Sequence, residues 1–251
     1  MLHAIQIRQT GGPEVLNWTA VDVGEPGSGQ VRLRQADAIS FHQAAAMMLQ
    51  GMTAQVLIRQ VYPVKAGDLI LVHAAAGGTG LILGQWAAAL GATVIGTVST
   101  EAKAEIAHAH GCSHTSLYTR QDFVAEVSRI SGGEKLPVVF DSVGKDTFLR
   151  SLDCLRPRGL MVTFGQASGP IDPIAPVLLS QKGSLFLTRP FLFHYIERRD
   201  ALEASANELF EVVASGKVRI NVNQRFALKD AADAHKALEA RATSGSTILT
   251  I

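Results

Sequence analysis

Residues 69–80 of this chain read LILVHAAAGGTG, a short apolar run followed by closely spaced glycines. The apolar run is the pattern expected of a strand that is buried on both faces of a parallel sheet. Ala74, Gly77 and Gly80 then follow at intervals of three, and an apolar helical segment begins directly afterwards. A strand, a glycine-rich turn and a helix in this order are typical of the phosphate-binding end of a dinucleotide fold.

The glycines of this turn have separate physical roles. Gly77 lacks a Cβ atom, so the backbone can approach a pyrophosphate closely, and Gly80 lets the helix pack tightly on the sheet. The N–H groups and the positive dipole end at the helix N-terminus then face the phosphates. Ala74 stands where the usual pattern has its first glycine. The alternative is a tight strand-to-helix connection that binds no nucleotide.

A βαβ rhythm continues on the C-terminal side of the turn. Helices are predicted over residues 81–90, 101–110, 123–131, 146–152 and 199–215. Strands are predicted over residues 69–74, 93–98, 114–117, 138–141, 160–164 and 184–188. This alternation predicts an α/β fold with a Rossmann-type doubly wound parallel sheet.

The two ends of the chain follow a different pattern. Strands are predicted over residues 3–8, 17–23, 30–34 and 246–251, with an extended piece at 223–226 and a helix at 229–240. Ser40 is a predicted N-cap with Gln43 as its capping-box partner. One or two helices are predicted over residues 41–62, with Gly51 as the expected break between them.

Composition excludes several classes of protein. Lys plus Arg number 23 and Asp plus Glu number 22, so the charge balance gives no sign of nucleic-acid binding. The only cysteines, Cys112 and Cys154, form no Cys-x-x-Cys pair and are typical of reduced cytosolic thiols. We expect no signal peptide and no membrane span, because no long uninterrupted apolar run is present. The predicted compartment is the cytoplasm.

The end of the second strand of the βαβ unit indicates which dinucleotide is bound. Units that bind NAD usually place an acidic residue there for the ribose 2′-hydroxyl. Here the chain offers the hydroxyl of Ser99, and Lys103 lies one turn into the next helix. Glu101 is interpreted as a first-turn helix acid. A cation beside hydroxyl donors suits a 2′-phosphate, so NADPH is predicted over NADH; the alternative for Lys103 is a solvated surface lysine.

Other clusters of reactive side chains are interpreted as structural. His108, His110, Cys112 and His114 straddle a helix end, a glycine and a strand, so their side chains are expected to diverge, and no metal site is predicted. No Gly-x-Ser-x-Gly elbow is present. Asp141 and Asp153 are interpreted as structural carboxylates.

Several stretches resemble one family over nearly the whole chain from residue 37 onward. They are residues 37–41, 44–48, 51–54, 73–80, 141–144, 164–169, 187–190 and 238–246, together with Tyr118. These stretches resemble the zinc-independent quinone oxidoreductases (zeta-crystallin-like) of the medium-chain dehydrogenase/reductase superfamily. The first 35 residues are also similar to the N-terminal strands of that family.

The resemblance implies NADPH-dependent reduction of quinones, usually by a homodimer. Its cofactor-contacting positions correspond here to Thr53, Ala76, Gly77, Gly78, Thr79, Gly80, Ser99, Lys103, Tyr118, Ser142, Val143, Phe164, Gly165, Gln166 and Arg241. Lys103, Tyr118 and Arg241 are expected to surround the 2′-phosphate. The resemblance also implies a dimer formed through the strand at residues 184–188. It identifies no catalytic residue.

One departure from the family is large. Members place a GroES-like barrel before the cofactor domain, whereas here Gln35 runs directly into Ala36 and most of that barrel is absent. The predicted domains are a β-rich remnant of the GroES-like domain at 1–35, a Rossmann domain at 36–215, and a C-terminal segment at 216–251 returning to the remnant. We therefore expect NADPH binding to be retained and quinone reduction to be impaired, because hydride transfer requires precise positioning of donor and acceptor. The alternative is a catalytically silent NADPH-binding or dimerising interaction protein.

Overall fold

The computed structural model describes residues 2–6, 17–21 and 39–251, which contain all the elements named below. The strands are β1 Leu2–Gln6, β2 Asn17–Val21, β3 Leu69–Val72, β4 Thr93–Val98, β5 Cys112–Leu117, β6 Leu136–Asp141, β7 Leu155–Thr163, β8 Phe186–Thr188, β9 Val222–Ala227 and β10 Ser246–Thr250. The α-helices are α1 Phe41–Gln55, α2 Gly78–Ala89, α3 Glu101–His108, α4 Phe123–Ile130, α5 Phe148–Ser151, α6 Val177–Gln181, α7 Leu192–Tyr195, α8 Arg199–Ala214 and α9 Ala231–Glu239. None of the helices in this part of the chain is both long and apolar enough to cross a membrane.

The chain divides into two compact units. Unit 1 comprises Met1–Met47 and Ile220–Ile251, and unit 2 comprises Met48–Arg219. In unit 1, β1 pairs antiparallel with β2, and β9 pairs parallel with β10. The strand predicted at residues 30–34 lies outside the described residues.

Unit 2 is built on a six-stranded sheet with the order β5-β4-β3-β6-β7-β8, and every neighbouring pair is parallel. The chain leaves β3 toward β4 on one side and later returns to β6 on the other side. This order confirms the predicted doubly wound Rossmann-type sheet, whose switch point lies between β3 and β6. All six strands end at the same edge, where the residues that follow each strand are brought together.

The sheet is buried on both faces in its centre. Ile70, Leu71 and Val72 of β3 are fully buried, as are all six residues of β6. Leu71 also belongs to a larger apolar cluster that includes Phe123 of α4 and Phe148 of α5. The continuous apolar runs in the sequence therefore reflect helices on both faces of the sheet.

The predicted start of α1 is confirmed, but the predicted break at Gly51 is wrong. The Ser40 N–H donates to Gln43 Oε1 at 3.0 Å and the Gln43 N–H donates to Ser40 Oγ at 3.3 Å, which is a capping box. Gly51 lies inside α1, and a Cβ atom there would stand 2.6 Å from two methyl carbons of Leu209 on α8. The glycine is therefore required by the close packing of two helices.

The helix continues beyond α1 as a π-helical turn at Val56–Val61. Gln55 holds this segment against α8, because its amide donates to Glu208 at 2.8 Å and accepts from the Ser205 hydroxyl at 2.9 Å. Arg59 forms an ion pair with the same Glu208 at 2.7 Å. These contacts fix one wall of the candidate site described below.

Two short helices were not predicted from the sequence. α6 lies in the stretch after residue 165 that reads as a proline-rich loop, and α7 follows β8 directly. Both are too short to show helical periodicity. β7 begins five residues earlier than predicted. Leu155 pairs with Leu136 of β6, and an irregularity between Leu136 and Val138 separates this pair from the rest of the ladder.

Candidate functional site

The turn between β3 and α2 is shaped by backbone atoms. Ala74 adopts a φ of 53°, so alanine takes here the left-handed conformation that glycine usually provides. The Gly77 N–H donates to the Ala74 carbonyl at 2.9 Å, and Gly77 is the N-cap of α2. A Cβ atom on Gly80 would stand 2.4 Å from the Ala74 oxygen. Only glycine at position 80 allows the helix to begin this close to the turn.

The N-terminus of α2 suits an anion. Gly77 has no side chain that can cap the helix, and the first-turn N–H groups of any helix lack intrahelical acceptors. Gly78 and Thr79 in this first turn are partly exposed. The turn therefore offers backbone donors and the positive end of the helix dipole at the centre of the sheet edge.

A polar cluster lies at the ends of β4 and β5. The Thr100 hydroxyl caps α3 by accepting from the Lys103 N–H at 3.2 Å, which places Lys103 in the first turn. The Tyr118 N–H donates to the Val98 carbonyl at 3.2 Å, and the Thr119 hydroxyl donates to the Ser99 carbonyl at 3.1 Å. Ser99, Lys103 and Tyr118 are thus brought to neighbouring strand ends.

The same cluster contains an ion pair that the sequence did not indicate. Arg120 Nη1 lies 3.8 Å from Glu101 Oε1, and both side chains are largely exposed. Glu101 stands in the first turn of α3, as predicted for a helix acid. The pair adds a second cation, beside Lys103, to this end of the sheet edge.

The loop after β6 is held by a buried carboxylate. Asp141 is fully buried, and its Oδ1 accepts from the Val143 N–H at 2.7 Å and the Gly144 N–H at 3.1 Å. Its Oδ2 accepts from the Thr147 hydroxyl at 2.8 Å. These bonds turn the chain sharply and present Ser142 at the edge of the sheet.

The loop after β7 packs directly on the loop after β6. A Cβ atom on Gly165 would stand 2.6 Å from the Ser142 carbonyl oxygen. The Ala167 N–H donates to that carbonyl at 3.1 Å, and the Ser168 N–H donates to the Val143 carbonyl at 2.8 Å. Positions 142 and 164 are therefore held next to each other.

His73 connects the turn with the Asp141 loop through buried hydrogen bonds. The imidazole lies 2.8 Å from both the Thr97 and the Ser151 hydroxyls. The Ser151 hydroxyl donates to the Thr147 carbonyl at 2.8 Å, so it accepts from His73 Nε2–H, and Nδ1 accepts from Thr97. Burial lowers the pKa of His73, and the nearby Asp141 carboxylate opposes this effect. The neutral imidazole fits this network, in which each ring nitrogen has one role.

A cavity of about 370 Å³ opens at the same edge, on the side of β6, β7 and β8. Its lining comprises Leu49, Gln50, Thr53, Val56, Leu57, Thr79, Ser142, Phe164, Pro190, Phe191, Leu192 and Phe193. These described lining residues all belong to unit 2, and none of them is ionisable. Thr53, Thr79, Ser142 and Phe164, which belong to the predicted cofactor set, meet in this one cavity.

The remaining predicted residues fall into four groups. Ala76, Gly77, Gly78 and Gly80 form the turn, whereas Val143, Gly165 and Gln166 lie in the two loops. Ser99, Lys103 and Tyr118 form the polar cluster. Arg241 belongs to unit 1, where its N–H donates to the Leu238 carbonyl at 3.0 Å just after α9.

The clusters interpreted as structural have local partners. His108 Nδ1 lies 2.9 Å from the Cys112 carbonyl and its Nε2 lies 3.0 Å from the Thr115 hydroxyl. Asp153 is paired with Lys182 at 2.5 Å, away from the Asp141 loop. Across residues 2–6, 17–21 and 39–251, no three His, Cys, Asp or Glu side chains form a group able to hold a metal ion.

The segment after β8 was missed by sequence reasoning. Arg189 donates to the Thr163 hydroxyl at 3.2 Å, the Gly165 carbonyl at 3.3 Å and Gln166 Oε1 at 3.2 Å. Residues 190–193 then form a wall of the cavity. The available signal was the sequence PFLF directly after a predicted strand, since apolar side chains at a strand's carboxyl end can line a ligand site.

Comparisons with known proteins agree with this geometry. The family model described as "Zinc-binding dehydrogenase" matches residues 78–206, just over half of the chain. A quinone oxidoreductase of Pseudomonas aeruginosa is 53% identical over 213 residues, which are 85% of this chain and 66% of that protein. The chain thus spans slightly less than two thirds of the length of this relative.

A second relative matches from end to end. A 2-haloacrylate reductase of Burkholderia sp. is 52% identical over 329 residues, covering 99% of both chains. The alignment is longer than the 251 residues present here, so the relative carries internal residues without a counterpart in this chain. The crystal structure of Escherichia coli quinone oxidoreductase complexed with NADPH covers 100% of both chains at a TM-score of 0.93 and 37% identity.

Proposed function

The chain belongs to the quinone oxidoreductases of the medium-chain dehydrogenase/reductase superfamily, and we propose that it is an NADPH-dependent reductase of quinones. The observation that carries this proposal is the series of features along one sheet edge. The polar cluster stands at β4 and β5, the glycine turn at β3, and the cavity at β6, β7 and β8. An extended dinucleotide fits across these three positions.

In this proposal the 2′-phosphate, the pyrophosphate and the nicotinamide of NADPH each have a matching feature in unit 2. Lys103, Tyr118 and Ser99 would hold the 2′-phosphate, and the N–H groups of residues 78–80 would hold the pyrophosphate. The nicotinamide ring would enter the cavity between Thr53 and Phe164. The partly exposed backbone of Gly77, Gly78 and Thr79 supports a phosphate close to the start of α2. Arg241 is proposed as a further 2′-phosphate ligand from its position in the family.

In the proposed reaction the residues of this chain bind and orient NADPH, and NADPH supplies the redox chemistry. Bound NADPH provides a hydride, and a quinone that accepts it with one solvent proton becomes the hydroquinone, leaving NADP⁺. Thr53, Ser142 and Phe164 would orient the ring and exclude water from it. Because the end-to-end relative carries internal residues that this chain lacks, we also propose that turnover is slower than in a full-length reductase.

Titration with NADPH and NADH tests the cofactor part of the proposal. Wild-type protein should prefer NADPH, and Lys103→Gln should weaken NADPH binding about tenfold while leaving NADH binding unchanged. Lys65→Gln, at an exposed lysine of unit 2, is the matched control. Equal affinity of the wild type for both dinucleotides would contradict the assignment.

Stopped-flow oxidation of NADPH by 1,4-benzoquinone tests the reaction. We expect slow but saturable oxidation. Saturable NADPH binding without oxidation by any acceptor would instead support the second candidate, a catalytically silent NADPH-binding or dimerising interaction protein. Turnover typical of full-length reductases would contradict the proposed impairment, and the lack of any NADPH binding would contradict both candidates.

A homodimer through β8 is part of the proposal. Among the strands that the structure describes, β8 pairs with β7 alone, and Phe186 and Leu187 on it are 60% and 38% exposed. An exposed apolar edge strand of this kind is suited to pairing with a second copy. Sedimentation should show a dimer for the wild type and a monomer for Leu187→Lys; a monomeric wild type would refute this part.

We also propose that the chain acts in the cytoplasm. Cys112 and Cys154 are both free and buried, which fits a reducing compartment. Fractionation of cells that produce the protein tests this placement.

A further inference from the structure

Two phenylalanines that line the cavity have more than half of their surface exposed to solvent. Phe191 and Phe193 are 55% and 56% exposed, although both line the cavity. Their ring centroids lie 5.3 Å apart with an interplanar angle of 57°, and Phe191 also meets the His194 ring edge at 5.2 Å. Exposed aromatic side chains grouped at a cavity mark a ligand-binding surface.

The wall that carries these rings is anchored at both ends. Arg189 precedes it and donates three hydrogen bonds to the end of β7 and the loop beyond. Ile196, which follows α7, is only 7% exposed and holds the other end. Pro190 adds a fixed φ angle between Arg189 and the first ring. The rings are therefore carried by a segment that is fixed at both ends, in the same cavity that is proposed to receive the nicotinamide.

In the described part of the chain, the cavity lining provides no cation that could pair with a negative charge. None of the described lining residues is Lys, Arg or His, and the Arg189 guanidinium already serves three acceptors outside the lining. A carboxylate drawn into such a lining loses hydration and gains no ion pair there, which is costly. A neutral planar ring loses little hydration and gains contact with the aromatic wall.

From this chemistry we propose that Phe191, Leu192 and Phe193 form the acceptor subsite and select neutral planar acceptors over anionic ones. The inference rests on the proposed function and narrows its substrate class. The relatives are named for acceptors of both kinds. A quinone is neutral, whereas a 2-haloacrylate carries a carboxylate. The lining of this chain favours the quinone, although the haloacrylate reductase matches over 99% of both chains. A cavity of about 370 Å³ suits one or two fused rings beside the nicotinamide.

Calorimetric titration of the NADP⁺-saturated protein tests the subsite without turnover, because NADP⁺ and a quinone are both oxidised. The probes are 1,4-naphthoquinone, 1,4-naphthoquinone-2-sulfonate and 2-chloroacrylate. Buried Cys112 and Cys154, whose pKa values burial raises to about 12, are protected from reaction with the quinone. We expect the neutral quinone to bind at least tenfold more tightly than either anion.

Variants of the wall assign this preference to its residues. The double variant Phe191→Ser and Phe193→Ser should weaken binding of the neutral quinone at least tenfold, and Leu192→Arg should reverse the preference toward the sulfonate. Phe41→Ser, at a phenylalanine that is 84% exposed and lies outside the lining, is the matched control and should change neither affinity. Circular dichroism verifies that each variant is folded.

Two results would overturn the inference: equal binding of the neutral and anionic probes, or neutral-probe binding that the double variant leaves unchanged. Failure of the proposed function is seen separately, as the absence of NADP⁺ binding in a titration without acceptor. In that case the same probes are titrated against the ligand-free protein, and the same two results decide the inference.

Discussion

The turn of residues 74–80 holds its shape with backbone atoms, whereas the loops after β6 and β7 are held by side chains, the buried Asp141 and the exposed Arg189. In the turn, the critical contacts join the Ala74 carbonyl to Gly77 and Gly80. In the loops, the Asp141 carboxylate and the Arg189 guanidinium collect backbone donors and acceptors from several residues. The first region depends on the absence of side chains and the second on their presence, so different substitutions should disrupt them.

The largest effect is expected from a side chain added to the turn. Gly80→Val places atoms where the Ala74 oxygen and the Ala75 backbone already stand, at 2.4 and 2.9 Å from a Cβ. We expect a loss of about 4 kcal/mol in unfolding free energy and at least a hundredfold loss in NADPH affinity, about 2.7 kcal/mol. Urea unfolding and NADPH titration measure the two effects.

Ala89→Ser on the exposed end of the same helix is the control for this substitution. It adds one heavy atom to α2 but none near the turn, so both measurements should stay close to the wild type. If Gly80→Val binds NADPH as the wild type does, the backbone turn is not the phosphate site.

The second effect is expected from a side chain removed from the loops. Asp141→Ala leaves the N–H groups of Val143 and Gly144 and the Thr147 hydroxyl without their buried acceptor. We expect a loss of about 3 kcal/mol in unfolding free energy, because each orphaned donor keeps its desolvation cost. Asp141→Asn retains one acceptor oxygen and should lose less than half as much. A loss below about 1 kcal/mol for the alanine variant would show that the loop does not depend on the carboxylate.

The same contrast explains which features of the fold and site could be predicted from the sequence. The turn is local: the spacing of Gly77 and Gly80 after an apolar run predicts a strand, a turn and a helix, and the structure confirms them. The loops depend on contacts between distant residues, such as Arg189 with Gly165, which no local pattern encodes. For that reason only the family resemblance predicted that Ser142 and Phe164 belong to the site. Gly51 was wrongly predicted to break the helix, because the residue that requires a glycine there, Leu209, lies 158 residues further along the chain.

Between the two regions lies His73, which follows β3 and reaches the Asp141 loop through Ser151 and Thr147. It is buried at 1% exposure and packs edge-on against Phe123 with ring centroids 5.0 Å apart. Burial lowers its pKa in the folded protein below the ordinary value of 6.5. As pH falls through 6.5, the unfolded chain therefore takes up a proton before the folded protein does. The stabilisation is complete above this pH and is lost below it.

The smallest effect follows from this linkage. Between pH 7.5 and 5.5 the wild type should lose about 1 kcal/mol more unfolding free energy than His73→Gln, which has no imidazole to protonate. The comparison uses the difference in pH dependence, so any constant cost of the substitution cancels, as do the exposed histidines common to both proteins. Urea unfolding at a series of pH values measures it. Parallel pH profiles of the two proteins would show that protonation of His73 does not affect stability. A steeper wild-type profile would show that the hydrogen bonds between the turn and the loops require a neutral His73 imidazole.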